Sequence, residues 1–145
     1  MNDFTIKAKL TLKSTNSTLV FCKNDELYIH NERGIKTLLD FVNQGKYFRS
    51  FSVADKVVGK AAAYLYVLLG IGELYAEIIS ESALSVLEKS SITVFYGTHT
   101  ERINNRTNTG YCPMETAVLD IDNPEDALSA IRNKWSELNN KGGLK

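Results

Sequence analysis

Two short segments hold the residue types from which chemistry could be built: Ser52-Val-Ala-Asp55-Lys56-Val-Val-Gly59-Lys60 and Asn108-Thr-Gly-Tyr-Cys112-Pro-Met-Glu115. Val53, Ala54, Val57, Val58 and the apolar run that follows Lys60 predict one buried helix over 53–69, apolar nearly all round. Ser52, three residues before Asp55, then reads as a capping box whose side chains satisfy free backbone N–H groups. Lys56 and Lys60 would lie one turn apart on one face, at the end of the helix where the dipole disfavours positive charge. A bound anion would resolve that conflict, because free N–H groups, the dipole and two ammonium groups all favour it. The alternative is that both lysines reach solvent or pair with acids. Asp55 is either a cap alone or a general base or nucleophile.

In the second segment Pro113 suits a first helical position, which places Cys112 at the N-cap. A helix dipole there favours the thiolate, so Cys112 is a candidate nucleophile or ligand, against the ordinary reading of an inert thiol. Glu115 falls in the first turn as a capping acid or a ligand contact, and Met114 is expected to pack. Upstream, the polar connection Gly97–Gly110 is near the length at which structureless loops are functional or disordered. Its Asn105 and Arg106, with Asn108, are the side chains expected to touch the remainder of a ligand.

These segments need a scaffold, and hydrophobic spacing outlines one. Residues 3–14 alternate as a strand would, yet a short amphipathic helix fits equally. Thr18–Lys23 and Glu26–His30 predict a hairpin turning on Asn24-Asp25, which tolerates positive φ. Ile35, Leu38, Leu39 and Val42 fall at helical spacing ahead of Gly45. Leu74–Ile79 reads as a strand, Glu81–Glu88 as a helix and Ile92–Tyr96 as a further strand. Asn123-Pro124-Glu125-Asp126 is a helix start, predicting a C-terminal helix to about residue 138 with Trp135 on its core side. The tail 141–145 is expected to fray. His30 and His99 read as solvated side chains.

A hairpin, a buried helix and then alternating strands and helices imply an α/β fold: three layers, α/β/α, around a mixed sheet. The 145 residues fit a single domain, with its core over about 17–120. Seventeen basic and seventeen acidic residues cancel, and no basic stripe is readable, so no nucleic-acid partner is expected. No window is apolar enough for a membrane span, and Met1-Asn2-Asp3-Phe4 does not open a secretory signal. The expected location is therefore cytoplasmic. Cys22 lies in the apolar run 18–22 as a small buried thiol, and a disulfide with Cys112 is not expected.

Zinc deaminases place His-x-Glu at one helix start and Pro-Cys-x-x-Cys at another, with the Glu as proton shuttle. Here Asp55-Lys56-Val57 and Cys112-Pro-Met-Glu115 stand in those places. Valine shuttles no proton, and one thiolate with two carboxylates is a poor zinc site. No metal and no cofactor are expected, and zinc-dependent deamination is disfavoured. The strings Ser52-Val-Ala-Asp-Lys-Val-Val-Gly-Lys-Ala-Ala-Ala63, Tyr75-Ala-Glu-Ile-Ile-Ser80 and Gly110-Tyr-Cys-Pro-Met-Glu115 resemble a small prokaryotic family. It is catalogued as a domain of unknown function with a cytidine-deaminase-like fold. That resemblance covers about residues 17–120 and implies a deaminase-like core without the zinc site. Val53–Gly59 is more weakly similar to formate dehydrogenase accessory proteins of the same fold, from which no activity carries over.

Three functions follow from these residues. The favoured one is binding of a nucleotide or other phosphorylated small molecule by Ser52, Asp55, Lys56, Lys60, Asn105, Arg106, Asn108, Cys112 and Glu115. The second is an enzyme acting on such a ligand through Asp55 or Cys112. The third is a homo-oligomeric interaction module with a vestigial pocket.

Overall fold

A computed structural model describes residues 1–32, 35–103 and 112–141, with the side chains of residues 140 and 141 excepted. Asp3–Thr15 is helical (α1) and settles the ambiguity of the first segment. Asn2 explains the choice. Its side-chain oxygen accepts the Thr5 N–H at 2.8 Å, and Asn16 ends the helix in the left-handed region (φ 51°). The hairpin forms as expected from β1 (Leu19–Lys23) and β2 (Glu26–His30), with Asn24 at φ 54° in the turn. Helix α2 follows over Lys36–Asn43.

The expected buried helix over 53–69 is two elements. Ser52–Val58 is a strand (β3), and only Lys60–Leu69 is helical (α3), with Gly59 between them as N-cap. Val53 and Ala54, on opposite faces of β3, are both fully buried, and such consecutive apolar positions cannot be told from those of a buried helix. The β-branched Val53, Val57 and Val58 favour the pleated form, whereas Ala61, Ala62, Ala63 and the leucines favour the helix. Ser52 and Asp55 therefore form no capping box. The Ser52 hydroxyl donates to Asn2 Oδ1 at 3.0 Å and ties the start of α1 to the sheet.

Strand β4 (Glu73–Ser80), helix α4 (Glu81–Glu88) and strand β5 (Thr93–Thr100) match the expected order. β5 takes in residues 97–100 of the expected long loop. Helix α5 (Pro113–Ala117) and helix α6 (Pro124–Lys141) complete the chain.

The five strands form one mixed sheet in the order β2-β1-β3-β4-β5. β1 is antiparallel to β2 and β3, whereas β3, β4 and β5 run parallel. α1 covers one face over Ala8, Leu12, Val20, Cys22, Ala54 and Tyr75. The larger core lies on the other face, where α2, α3, α4 and α6 enclose Phe21, Val53, Leu65, Leu69, Leu74, Leu87 and Ile131, with Trp135 packed at its edge. This is the α/β architecture, with helices on both sides of the sheet. His30 is not a freely solvated side chain. Its ring meets Phe21 and Phe41 edge-on, burial lowers its pKa, and among the described residues its Nε2 has no hydrogen-bond partner. No described helix is long and apolar enough to cross a membrane.

Candidate functional site

The parallel strands β3 and β4 end together, Val58 opposite Ile79, and α3 and α4 start directly beyond them. Ligands of open α/β sheets bind at this carboxyl edge. Here the start of α3 already holds an anionic group of the chain itself. Glu115, delivered by α5, accepts the Ala61 N–H at 3.2 Å through Oε2. Burial raises the Glu115 pKa, while the Ala61 and Lys60 N–H groups, the Lys60 charge and the Ser80 hydroxyl act in the opposite direction. Gly59 makes the approach possible, because a Cβ at that position would collide with the Glu115 carboxylate. The conflict seen at this helix start in the sequence, a cation at the positive end of a dipole, is thus answered from within by a carboxylate 54 residues away.

Lys56 and Lys60 do not share a helix face. Lys56 is on β3, and its Nζ donates to Asn16 Oδ1 at 3.3 Å, beside the end of α1. Lys60 is the first residue of α3. Its Nζ donates to the Leu119 carbonyl at 3.0 Å and lies 5.9 Å from the centre of the Tyr64 ring.

Asp55 occupies the middle of the sheet, paired with Leu19 on β1 and Ala76 on β4. The fully buried Tyr66 of α3 donates its hydroxyl to Asp55 Oδ2 at 2.5 Å, and the Val57 N–H donates to Oδ1 at 3.3 Å. Desolvation raises the Asp55 pKa from 3.8 to about 7, against the hydrogen bonds from Tyr66 and the backbone. Tyr66 is pushed well above its ordinary value by burial and by the neighbouring carboxylate. The sequence reading missed Tyr66. Its hydroxyl inside an otherwise apolar helix was the available signal, since a buried phenol needs a partner.

Cys112 precedes the five-residue α5, half-buried against the main core, with its N–H donating to the Ile103 carbonyl at 3.1 Å. Asn105, Arg106 and Asn108 lie outside the described residues. Among the described residues, no three His, Cys, Asp or Glu side chains gather as metal ligands would.

Beside the Glu115 clasp a cleft of about 350 Å³ opens between α3, α4 and the link from α5 to α6. Lys60, Tyr64 and Val67 face it from α3, and Ser82, Ser85, Val86, Lys89 and Ser90 from α4 and the turn after it. Ile121, Asp122 and Pro124 close the third side. The Tyr64 hydroxyl donates to the Ile121 carbonyl at 2.9 Å, and its pKa is raised by burial and by Asp122. The cleft is of ligand size and takes in Lys60, but not Asp55, Lys56, Cys112 or Glu115. Lys89 was missed in the sequence because, at a helix end, a lysine ordinarily only complements the dipole.

No curated protein matches the chain. Among solved structures, the crystal structure of a DUF1893 family protein (TM1506) from Thermotoga maritima is similar, with a TM-score of 0.81 at 22% sequence identity. The alignment covers 94% of this chain and 92% of that one, and at this identity it shows a shared fold. The sequence profile of the TM1506 family matches residues 7–135. The chain accordingly belongs to the TM1506 family, a domain of unknown function (DUF1893).

Proposed function

We propose that this domain binds an anionic small molecule, a nucleotide or another phosphorylated metabolite, on a scaffold related to that of cytidine deaminases but without their zinc chemistry. The observation that carries the reading is the cleft, lined by two lysines, several hydroxyls and the apolar side chains of Val67, Val86 and Ile121. Ammonium groups and hydroxyls are what a phosphate needs, and Val67, Val86 and Ile121 suit the body of the ligand. Lys60 is the residue of the original lysine pair that this reading keeps.

Thermal unfolding against a panel of nucleotides and sugar phosphates tests it. A specific ligand at a hundred times its Kd adds about 2.7 kcal/mol of stability. Lys60→Ala and Lys89→Ala should each reduce the shift. No stabilisation by any phosphorylated compound at millimolar concentration would overturn the reading.

A second reading, catalysis, is favoured by one pair of side chains. Asp55 with Tyr66 is a carboxyl group poised to change charge near neutral pH, as a general acid or base requires. Once a ligand is found, its conversion by the native protein but not by Asp55→Asn would support this role; an unchanged ligand would remove it. A homo-oligomer is supported by β2, an edge strand among the described residues, where Leu27, Tyr28 and Ile29 are exposed. A monomer by light scattering at all concentrations would count against it.

A further inference from the structure

The ligand class of the cleft can be narrowed from the placement of its charges; the inference rests on the binding reading above. Val58 and Ile79 are partners in the parallel pair β3–β4. Lys60 and Glu81 each follow two residues later as the first residues of α3 and α4, so they stand at one level. Lys89, the C-cap of α4, comes eight residues after Glu81, about 12 Å further along at the α-helical rise. The cleft thus has a lysine at each end. Lys89 is exposed and, among the described residues, its ammonium group has no hydrogen bond or ion pair, and the hydroxyl of Ser85, one turn before it, is also without a partner. Between the two ends stand the Tyr64 ring, Val67 and Val86, with Asp122 beside Tyr64.

We propose that the ligand is an elongated molecule with an anionic group at each end and an uncharged middle, held between Lys60 and Lys89 along the α3–α4 cleft. The carboxylate of Asp122 stands against the alternative of a continuous polyphosphate, whose charge would run past it. A single terminal phosphate would engage only one of the two lysines.

Titration calorimetry with alkane bisphosphonates of graded length, from about four to about twelve carbons, reads the spacing directly. Inorganic triphosphate and the matching monophosphonates serve as controls. The expected result is an optimum at intermediate length, where the bisphosphonate binds at least about tenfold more tightly than its monophosphonate, an increment of about 1.4 kcal/mol. Lys89→Ala should abolish the difference between bis- and monophosphonates. Equal affinity across the length series, tightest binding of triphosphate, or no effect of Lys89→Ala would overturn the inference. In those cases a nucleotide that still binds through Lys60 leaves the broader reading intact, whereas failure of every anion removes both.

Discussion

The carboxylate of Glu115 sits on the backbone N–H of Ala61, 3.2 Å away, in space that exists because residue 59 has no side chain. The three residues form one unit. A distant acid does the work of an N-cap, and a glycine gives it room.

Gly59→Ala should therefore push the Glu115 carboxylate, the movable end of its side chain, off the Ala61 N–H and cost about 1 kcal/mol through the lost cap. Glu115→Ala should cost about 1 kcal/mol through the lost cap. The double variant should be less destabilised than the sum, because removing the carboxylate removes the collision. Urea unfolding of the four proteins measures the coupling; strict additivity would show that Gly59 matters for another reason.

Asp55 makes stability fall with rising pH. Its folded pKa is raised to about 7 from an ordinary 3.8, so between those values the native state keeps a proton that the unfolded chain has lost. Across that window the group removes stability, on the order of 4 kcal/mol in full. Asp55→Asn should match the native protein near pH 4, exceed it in stability at pH 7.5, and flatten the profile between. A variant less stable than the native protein at pH 7.5 would contradict the assignment.

Tyr66→Phe removes the hydroxyl that supports the Asp55 carboxylate. The loss should be about 1–3 kcal/mol above pH 7, where Asp55 is ionised, and smaller at pH 5. The pH at which the Asp55 carboxyl signal titrates by NMR should rise in the same variant. A fall in that midpoint would show that the phenol does not stabilise the charge.

Asn2 joins two elements. Its Oδ1 takes hydrogen bonds from the Thr5 N–H and hydroxyl and from the Ser52 hydroxyl. Asn2→Ala should cost about 1–2 kcal/mol, the upper range for an N-cap. Asn2→Gly should cost less if capping alone mattered, so equal losses identify the bond to Ser52 as the larger part. Thermal unfolding separates the two cases.

The Asn24-Asp25 turn between two apolar runs makes the hairpin readable, and helical spacing does the same for α2, α4 and α6, because each of those helices buries one face and exposes the other. The stretch 53–69 reads as one helix because Val53, Ala54 and Val58 of β3 and most of α3 are buried, and burial at consecutive positions erases periodicity. That error moved Asp55 and Lys56 from a helix start to a strand and hid the part played by Gly59. Glu115 was recognisable as a capping acid, but it caps α3 rather than its own helix, and such a partner cannot be found by local spacing. Tyr66 and Lys89 depend on tertiary neighbours in the same way.

The Ala61–Glu115 bond also sets an order in time. During synthesis Ala61 leaves the ribosome 54 residues ahead of Glu115. At about 5–20 residues per second the start of α3 waits for several seconds with its N–H groups facing water. The start of this largely buried helix is thus completed only by a segment made 54 residues later.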